Sequence, residues 1–402
     1  MGNHPPEKDA AGTFTRQGFT VMVKPAGPDC NLTCSYCFYR TKRRLFKDPH
    51  PRMGRRVVER FIKSYLELHP GPDVPFAWQG GEPLLAGLPF FEQVVRLARR
   101  HTPAGKRACQ AVQTNATLID RDFARFFAQN AFLVGVSLDG PAACHDAYRR
   151  RAGQPTHAEV MAGLTRLREH GVAYNILCAV HAANQEHPED VYRFLRDAAG
   201  ATFIQFIPIV ADGAGSLCSA SVTPAAFGSF LSRVWDVWRR EDVGRVYVGH
   251  FDAALAAHLG QSGAICAMAR DCGRALVLEH DGSLYACDHF VDETNYLGSL
   301  ARQSLSELLA SPVLAAFGAV KAATLPALCR QCPDLFACGG GCPKDRLQVA
   351  PPGALTAPYL CQGFKGFFRH AGPELAAMAD VIRRQPAFRR VTDESAARRN
   401  AP

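Results

Sequence analysis

The stretch Cys30-Asn31-Leu32-Thr33-Cys34-Ser35-Tyr36-Cys37 contains three cysteines with the spacing C-x3-C-x2-C. Three thiolates on one tight loop can bind three irons of a 4Fe-4S cluster. Because no fourth cysteine is near, one iron would stay open to a small molecule. Structural zinc is the alternative, but it usually takes four ligands and C-x2-C pairs. The spacing therefore favours an iron–sulfur cluster with one open coordination position.

The chain around this loop alternates between strand-like and helical patterns. The strand-like runs are 19–23, 74–78, 109–113, 133–137, 174–180 and 203–210, and the helical patterns between them are 57–68, 89–100, 121–129, 157–170 and 188–198. Such alternation predicts parallel βα units in an α/β fold. Six units are fewer than the eight of a closed barrel, so we expect an open, partial (β/α)6 barrel.

Unusual polar and glycine-rich stretches follow the predicted strands. The cysteine loop follows the first, Gln79-Gly80-Gly81-Glu82 the second, Gln113-Thr114-Asn115 the third and Asp139-Gly140 the fourth. In barrels of this kind the chemistry lies at the carboxyl ends of the strands. Paired glycines allow a close approach of the backbone to a ligand. We therefore expect the site at this edge.

A second group of cysteines marks the C-terminal part of the chain. Eight of the 15 cysteines lie there: Cys266, Cys272, Cys287, Cys329, Cys332, Cys338, Cys342 and Cys361. Eight thiols suffice for two clusters with four ligands each, and fully ligated clusters suit electron transfer. A zinc ribbon at Cys329 and Cys332 is the alternative. The predicted organisation is an N-terminal segment (1–17), a barrel (18–240), a cysteine-rich domain (241–370) and a C-terminal helix and tail (371–402).

The composition excludes several classes of protein. The chain has 402 residues, of which 47% are hydrophobic and 21% charged, as is usual for a soluble globular protein. The net charge is +9, but the basic residues are scattered and no nucleic-acid-binding motif is present. The sequence lacks a run of about 18 apolar residues and an apolar N-terminal leader. We therefore expect a cytoplasmic protein that binds neither membrane nor nucleic acid.

The cysteine loop with the following Phe38-Tyr39, together with Gly80-Gly81-Glu82-Pro83, resembles the radical S-adenosylmethionine superfamily. The resemblance implies that the open iron binds the methionine moiety of S-adenosylmethionine, whose reductive cleavage releases a 5′-deoxyadenosyl radical. It also implies a set of cofactor contacts: Gly80, Gly81, Glu82, Ser137, Arg149 and, at the adenine, Tyr39.

The C-terminal cysteines resemble the SPASM extension of that superfamily, which carries two auxiliary 4Fe-4S clusters. The resemblance implies three clusters in all. It assigns Cys266, Cys272, Cys287 and Cys342 to the nearer auxiliary cluster. The farther one would have Cys329, Cys332, Cys338 and Cys361.

Further stretches narrow the resemblance to the anaerobic sulfatase-maturating enzymes, over about residues 18 to 370. They include Lys24-Pro25-Ala26-Gly27, Ser137-Leu138-Asp139-Gly140-Pro141, Cys287-Asp288-His289 and Gly340-Gly341-Cys342-Pro343-Lys344. Two departures are visible. Ala116 stands where the family usually has glycine, and Val248-Gly249-His250 lacks an expected glutamine.

This family resemblance implies oxidation of a serine or cysteine in a target sulfatase to Cα-formylglycine. Asp288 would be the base that takes the proton, and Gln79 and His289 would line the substrate pocket, whereas Trp78 is expected in the core. The implied partners are an unfolded or extended sulfatase polypeptide and a flavodoxin- or ferredoxin-type reductant.

Two other hypotheses remain at this stage. A SPASM peptide maturase would form thioether or carbon–carbon crosslinks, but such enzymes often have an added N-terminal domain, and here 29 residues precede Cys30. An electron-transfer or metal-storage protein would need three complete four-cysteine sites, which the three-cysteine loop argues against.

Overall fold

Ten strands form one open sheet in the computed structural model, which describes residues 18–211, 216–261, 265–347 and 356–385. The predicted segment 1–17 and the end of the tail lie outside these residues. In chain order the strands are β1 (Thr20–Val23), β2 (Asp73–Trp78), β3 (Arg107–Thr114), β4 (Leu133–Ser137), β5 (Arg150–Arg151), β6 (Gln154–Pro155), β7 (Tyr174–Val180), β8 (Phe203–Pro208), β9 (Tyr247–Val248), β10 (Ala275–Leu278), β11 (Ser283–Tyr285) and β12 (Tyr296–Ser299). β5 and β6 form a separate hairpin.

The helices follow the strands in the pattern that the sequence predicts. They are α1 (Arg55–Leu68), α2 (Leu88–His101), α3 (Arg121–Gln129), α4 (Ala142–Tyr148), α5 (His157–Glu169), α6 (Pro188–Arg193), α7 (Pro224–Glu241), α8 (Gly249–His258), α9 (Leu305–Leu309), α10 (Pro312–Ala323), α11 (Ala327–Arg330), α12 (Leu335–Cys338) and α13 (Cys361–Arg384). α6 continues into a π-helical turn, Phe194–Ala198.

The strands β1, β2, β3, β4, β7 and β8 lie side by side in that order, and each adjacent pair is parallel. This confirms the predicted α/β fold with six βα units in an open sheet. Aligned parallel strands bring their carboxyl ends to one edge, as the pairing of Val23 with Trp78 shows. The loops that the sequence analysis singled out therefore meet at that edge.

An aromatic layer fixes the first helix on the sheet. The apolar residues of α1 recur at helical spacing, so Phe61 and Tyr65 face the sheet and are fully buried. Their rings stack with centroids 5.2 Å apart, and Phe61 meets Phe76 edge to face at 5.8 Å. Trp78 lies in this layer with no exposed surface, and its Nε1 donates to Gln110 Oε1 at 2.7 Å. Trp78 is therefore a core residue, as predicted.

The cysteine-rich segment extends the barrel sheet, which the sequence did not predict. β10 pairs in parallel with β1, so that Thr20 faces Ala275 and Val23 faces Leu278. β11 and β12 then continue the sheet in antiparallel fashion. At the other side β9 pairs in parallel with β8, beyond the predicted boundary at residue 240. β1, which leads to the first cysteine loop, is thus an inner strand.

The C-terminal helix α13 packs against the barrel helix α7. Gly228 of α7 and Gly363 of α13 lie so close that a Cβ atom on either would overlap the backbone of the other helix. The helix begins at Cys361, so the predicted boundary at residue 370 falls inside it. This packing fixes the helix that begins at Cys361 to a helix of the barrel.

One stretch of the described residues, Leu305–Ala323, has the length and composition of a membrane span, with a mean hydropathy of 1.4. In the structure this stretch is divided into α9 and α10, and the Ser311 side chain accepts a hydrogen bond from the Val313 N–H at the start of α10. It therefore does not form one continuous helix.

Candidate active site

The three cysteines of the first loop surround one cavity beyond the end of β1. Cys30, Cys34 and Cys37 line a space of about 250 Å³ together with Tyr39 and Gly81. Burial raises the pKa of the Cys30 thiol to about 12, so this thiol stays protonated in the absence of a positive charge. Iron deprotonates thiols on binding, and three cysteines around a shared cavity fit a cluster with one open iron.

The two glycines after β2 allow their loop to lie directly on the cysteine loop. The Gly81 N–H donates to Gly27 O at 2.9 Å, and the Glu82 N–H donates to Asp29 O at 2.8 Å. A Cβ atom at Gly81 would overlap Asp29 O, and Gly80 has a φ of 149°. Glycine is therefore needed because the two loops touch through their backbones.

Glu82 is a fully buried carboxylate at this junction. It accepts hydrogen bonds from Thr114 Oγ1 at 2.8 Å, from the Asn115 N–H at 2.8 Å and from the Leu84 N–H at 2.9 Å. Burial raises its pKa to about 7, because these bonds only partly offset the loss of hydration. Within the part of the chain that the structure describes, no cation pairs with it. The carboxylate is thus suited to an incoming ammonium group.

The loop after β3 holds the cysteine loop through side chains that the sequence analysis quoted without assigning a role. Asn115 Nδ2 donates to Asn31 Oδ1 at 2.8 Å and lies 3.9 Å from Cys30 Sγ. Asn31 Nδ2 in turn donates to Thr117 Oγ1 at 2.9 Å. Ala116 has a φ of 61°, a left-handed conformation that favours glycine. Glycine would adopt this backbone without strain, which accounts for the glycine that is usual at this position, and nothing in the structure explains the alanine.

A buried ion pair fixes the other side of the cysteine loop. Asp139 is fully buried and accepts from Tyr36 Oη at 2.6 Å and from Arg149 Nε at 2.8 Å. Burial alone would raise the pKa of Asp139, but Arg149 and the nearby His181 hold it far below its usual range. Arg149, which was predicted to contact the cofactor, therefore also anchors Tyr36 and with it the loop. Asp139 and Tyr36 were not predicted as a pair.

Ser137 lies at the end of β4, next to this ion pair. Its Oγ accepts a hydrogen bond from Gln113 Nε2 at 3.0 Å, and the residue is partly exposed. The side chain is therefore held in place at the edge where the cofactor contacts were predicted.

Asp288 lies where the second domain faces the cysteine loop. Its Oδ1 is 3.9 Å from Cys287 Sγ, and its Oδ2 is 3.8 Å from Lys24 Nζ. Burial would raise the pKa of Asp288, but His289 and Lys24 hold it below the usual value. The side chain is therefore a carboxylate that can accept a proton. Lys24, only 3% exposed, was part of a quoted motif but was not predicted as a site residue.

Aromatic side chains join the two halves of the site. The Phe38 and His289 rings lie 4.3 Å apart, so the first cysteine loop packs against the loop of Cys287. The Tyr39 hydroxyl donates to the fully buried Glu279 at 2.6 Å, and Lys24 Nζ lies 4.6 Å from the Tyr39 ring centre. Glu279, which the sequence analysis missed, directly follows β10.

Gln79, predicted to line the substrate pocket, follows β2 and is partly buried. Its backbone N–H donates to Val23 O at 2.9 Å. This bond places Gln79 beside Gly80 and the end of β1, at the edge of the sheet where the predicted site residues meet.

The structure brings C-terminal cysteines together in two places, and the cluster that each group would bind stays a prediction. Cys329, Cys332, Cys338 and Cys361 line one cavity of about 420 Å³. In the other group, charges on Cys266 and Cys342 would raise the pKa of Cys287, and a charge on Cys266 would raise that of Cys272, as expected of neighbouring thiols. Among the described residues, no three His, Cys, Asp or Glu side chains form a site for a single metal ion.

Of the remaining four cysteines, Cys178 on β7 is fully buried, whereas Cys109 on β3 is only partly buried. Cys144 is buried and donates weakly to Ala183 O at 3.8 Å, and Cys218 is partly buried. None of them joins the cavities described above.

Comparison with known families agrees with this geometry. Residues 25–195 match the radical SAM superfamily, and residues 266–333 match the SPASM iron–sulfur cluster-binding domain. The chain is thus a radical S-adenosylmethionine enzyme with a SPASM domain. The SPASM match ends before Cys338 and Cys361, which line the same cavity as Cys329 and Cys332, and before Cys342, a neighbour of Cys287.

Individual relatives identify the family more closely. The chain is 38% identical over 385 residues to a serine-type anaerobic sulfatase-maturating enzyme of Bacteroides thetaiotaomicron, covering 91% of this chain and 92% of the relative. It is 33% identical to a cysteine-type anaerobic sulfatase-maturating enzyme of Clostridium perfringens, covering 90% and 99%. A solved structure described as native anSMEcpe with bound AdoMet and Kp18Cys peptide superposes with a TM-score of 0.82 at 32% identity, covering 90% and 99%. The chain belongs to the anaerobic sulfatase-maturating enzymes.

Proposed function

We propose that this enzyme oxidises a serine or cysteine side chain of a sulfatase polypeptide to Cα-formylglycine, with S-adenosylmethionine as the source of the radical. The observation that carries the proposal is the position of Asp288, a carboxylate that is only 16% exposed and lies 3.9 Å from the sulfur of Cys287. The next residue, His289, packs its ring against Phe38 of the three-cysteine loop. A proton acceptor and a ligand of the electron acceptor then face the same substrate carbon. Relatives of both the serine and the cysteine type support this reaction class.

Cys30, Cys34 and Cys37 would hold the first cluster, which would supply the electron for reductive cleavage of S-adenosylmethionine. Glu82 would bind the ammonium group of the cofactor's methionine moiety, since this buried carboxylate has no cation of its own among the described residues. We assign the remaining cofactor contacts as the sequence predicted them: Gly80, Gly81, Ser137, Arg149 and, because its ring borders the cavity, Tyr39.

Asp288 would take the proton that the substrate loses when its Cβ radical is oxidised. The adjacent Cys287 would hold the near auxiliary cluster, which would supply an acceptor for the substrate's electron at the same place. Lys24 and His289 keep Asp288 ionised before the reaction. Gln79 and His289 would line the substrate side. When the substrate is cysteine, the resulting thioaldehyde is hydrolysed to the aldehyde.

Two auxiliary clusters are part of the proposal. Cys266, Cys272, Cys287 and Cys342 would hold the near one, and Cys329, Cys332, Cys338 and Cys361 the distal one. The substrate would be an extended or unfolded sulfatase segment, which agrees with the peptide in the related solved structure. We further propose a flavodoxin- or ferredoxin-type reductant and a cytoplasmic location, where reducing conditions preserve the clusters.

The test uses anaerobically reconstituted enzyme, dithionite, S-adenosylmethionine and a short peptide containing Cys-x-Pro-x-Arg, with a serine twin. We expect the mass of the serine peptide to fall by two hydrogen atoms, and the cysteine peptide to reach the same product mass. Asp288→Asn should still release 5′-deoxyadenosine while formylglycine formation falls about 100-fold or more. If the unsubstituted enzyme releases 5′-deoxyadenosine but leaves the peptide unchanged, the sulfatase assignment is contradicted. An internal crosslink in the peptide would instead favour a crosslinking maturase.

A further inference from the structure

Two cations, the fully buried Lys321 and the partly buried Arg346, lie between the near and the distal cysteine groups. Lys321 of α10 has no exposed surface, and its ammonium group donates to Ala267 O at 2.8 Å, to Cys266 O at 3.4 Å and to Ala269 O. The ammonium group is therefore fixed on the loop that carries Cys266.

Arg346 extends this arrangement towards the distal group. Its Nη2 donates to Lys321 O at 3.0 Å and to Gly340 O at 3.3 Å, and its Nη1 donates to Thr324 Oγ1. Gly340 lies between Cys338, a distal ligand, and Cys342, a near ligand. The connecting residues Gly339, Gly340 and Gly341 all have positive φ values, so the turn is tight. The guanidinium group is thus placed where the two groups meet.

Neither cation has a carboxylate partner among the described residues, although an unpaired buried charge is costly. The negative groups that act on these two cations are the thiolates of the cysteines. The thiols acting on Lys321 are those of Cys272, Cys266, Cys342 and Cys338. Those acting on Arg346 are Cys329, Cys272, Cys342 and Cys338. Lys321 therefore interacts mainly with thiols of the near group, whereas Arg346 interacts with two thiols of each group.

We propose that Lys321 and Arg346 are electrostatic tuning residues that raise the reduction potentials of the auxiliary clusters, so that the near cluster can accept the substrate's electron. The inference rests on the two auxiliary clusters of the proposed function. Gain of an electron makes a thiolate-ligated cluster more negative, and a fixed buried cation stabilises that form more than the oxidised one. The electron comes from the substrate radical and its proton goes to Asp288, so the step balances without another reactant.

The test is an EPR-monitored redox titration of the full-length chain in which Cys30, Cys34 and Cys37 are replaced by alanine, so that only auxiliary clusters contribute. Iron content is measured first for each variant. We expect Lys321→Met to lower the one-electron reduction constant of the near cluster about tenfold, which is about 59 mV. Arg346→Gln should lower the one-electron reduction constants of both auxiliary clusters by a similar factor. Lys321→Arg and Arg346→Lys, which keep the charge, should restore most of each shift.

Asp334→Asn provides a control of opposite sign. Asp334 Oδ2 lies 4.0 Å from Cys332 Sγ of the distal group, so its neutralisation should raise the distal potential and leave the near one unchanged. If the Lys321→Met variant loses iron, the potentials of the Arg346→Gln and Asp334→Asn variants decide whether the nearby charges set the potentials of the clusters. Unchanged potentials in variants with full iron content, or equal shifts for charge-removing and charge-keeping variants, would overturn the proposal. These titrations contain no substrate, so their outcome is independent of whether the enzyme makes formylglycine.

Discussion

The affinity for S-adenosylmethionine should depend on pH through Glu82. This carboxylate is fully buried with a pKa raised to about 7, and only its ionised form attracts the cofactor's ammonium group. With this pKa, about 90% of Glu82 is ionised at pH 8 and about 10% at pH 6. The apparent affinity scales with the competent fraction, so it should fall about tenfold, or about 1.4 kcal/mol, between these pH values.

The direction of the effect follows from the protein itself. The pKa of Glu82 in the folded protein lies above the unfolded value, so the ligand-free protein loses stability as the pH rises from about 4.5 to 7. A cation that binds the carboxylate recovers this loss, and at pH 6 binding must release a proton. The net negative charge of a cluster at Cys30 would raise the pKa of Glu82 further and make the pH dependence steeper.

Anaerobic titration calorimetry measures the affinity directly. It also gives the number of protons released on binding, from the binding enthalpies measured in buffers of different ionisation enthalpy. Glu82→Gln is the matched variant, because it reveals how much of the pH dependence comes from the cofactor's own amino group. Glu169→Gln, at an exposed position at the end of α5, is the surface control. The reasoning is refuted if Glu82→Gln binds as tightly as the unsubstituted enzyme at pH 8, or if both show the same pH profile.

Two further substitutions test the loops that hold the site. Gly81→Ala should lower the free energy of unfolding by about 2 kcal/mol, because the added Cβ overlaps Asp29 O and breaks two backbone hydrogen bonds. Chemical denaturation measures this free energy. Gly54→Ala is the control, because a Cβ at Gly54 meets nothing within 4 Å. Arg149→Gln should cost about 3–5 kcal/mol by leaving Asp139 buried without its cation. The double variant Arg149→Gln/Asp139→Asn should regain most of that loss, and an equally unstable double variant would show that the charge is not the cause.

Much of the fold follows from local patterns in the sequence. The six parallel strands and the helices between them were predicted because hydrophobic periodicity is a property of neighbouring residues. The grouping of cysteines around the first cavity was also predictable, because those three ligands lie on one loop.

The contacts that hold the site could not be predicted in the same way. Tyr36 and Asp139 are 103 positions apart, and Tyr39 and Glu279 are 240 apart. No local pattern specifies such partners, since they meet only after the strands have assembled in order. The same reason applies to β10, whose place beside β1 depends on the course of the whole chain. The sequence contains only an indirect indication of these site residues, namely that polar residues such as Asn115 and Glu279 directly follow strands.

The pairing of β1 with β10 also has a consequence for biosynthesis. Thr20 faces Ala275, so β1 leaves the ribosome 255 positions before its partner strand. At about 5–20 residues per second, one side of β1 stays unpaired for roughly 13–50 s during translation. An unpaired strand edge is a template for association with other chains. The nascent enzyme therefore exposes this edge, and the three thiols just after it, until the second domain has been made.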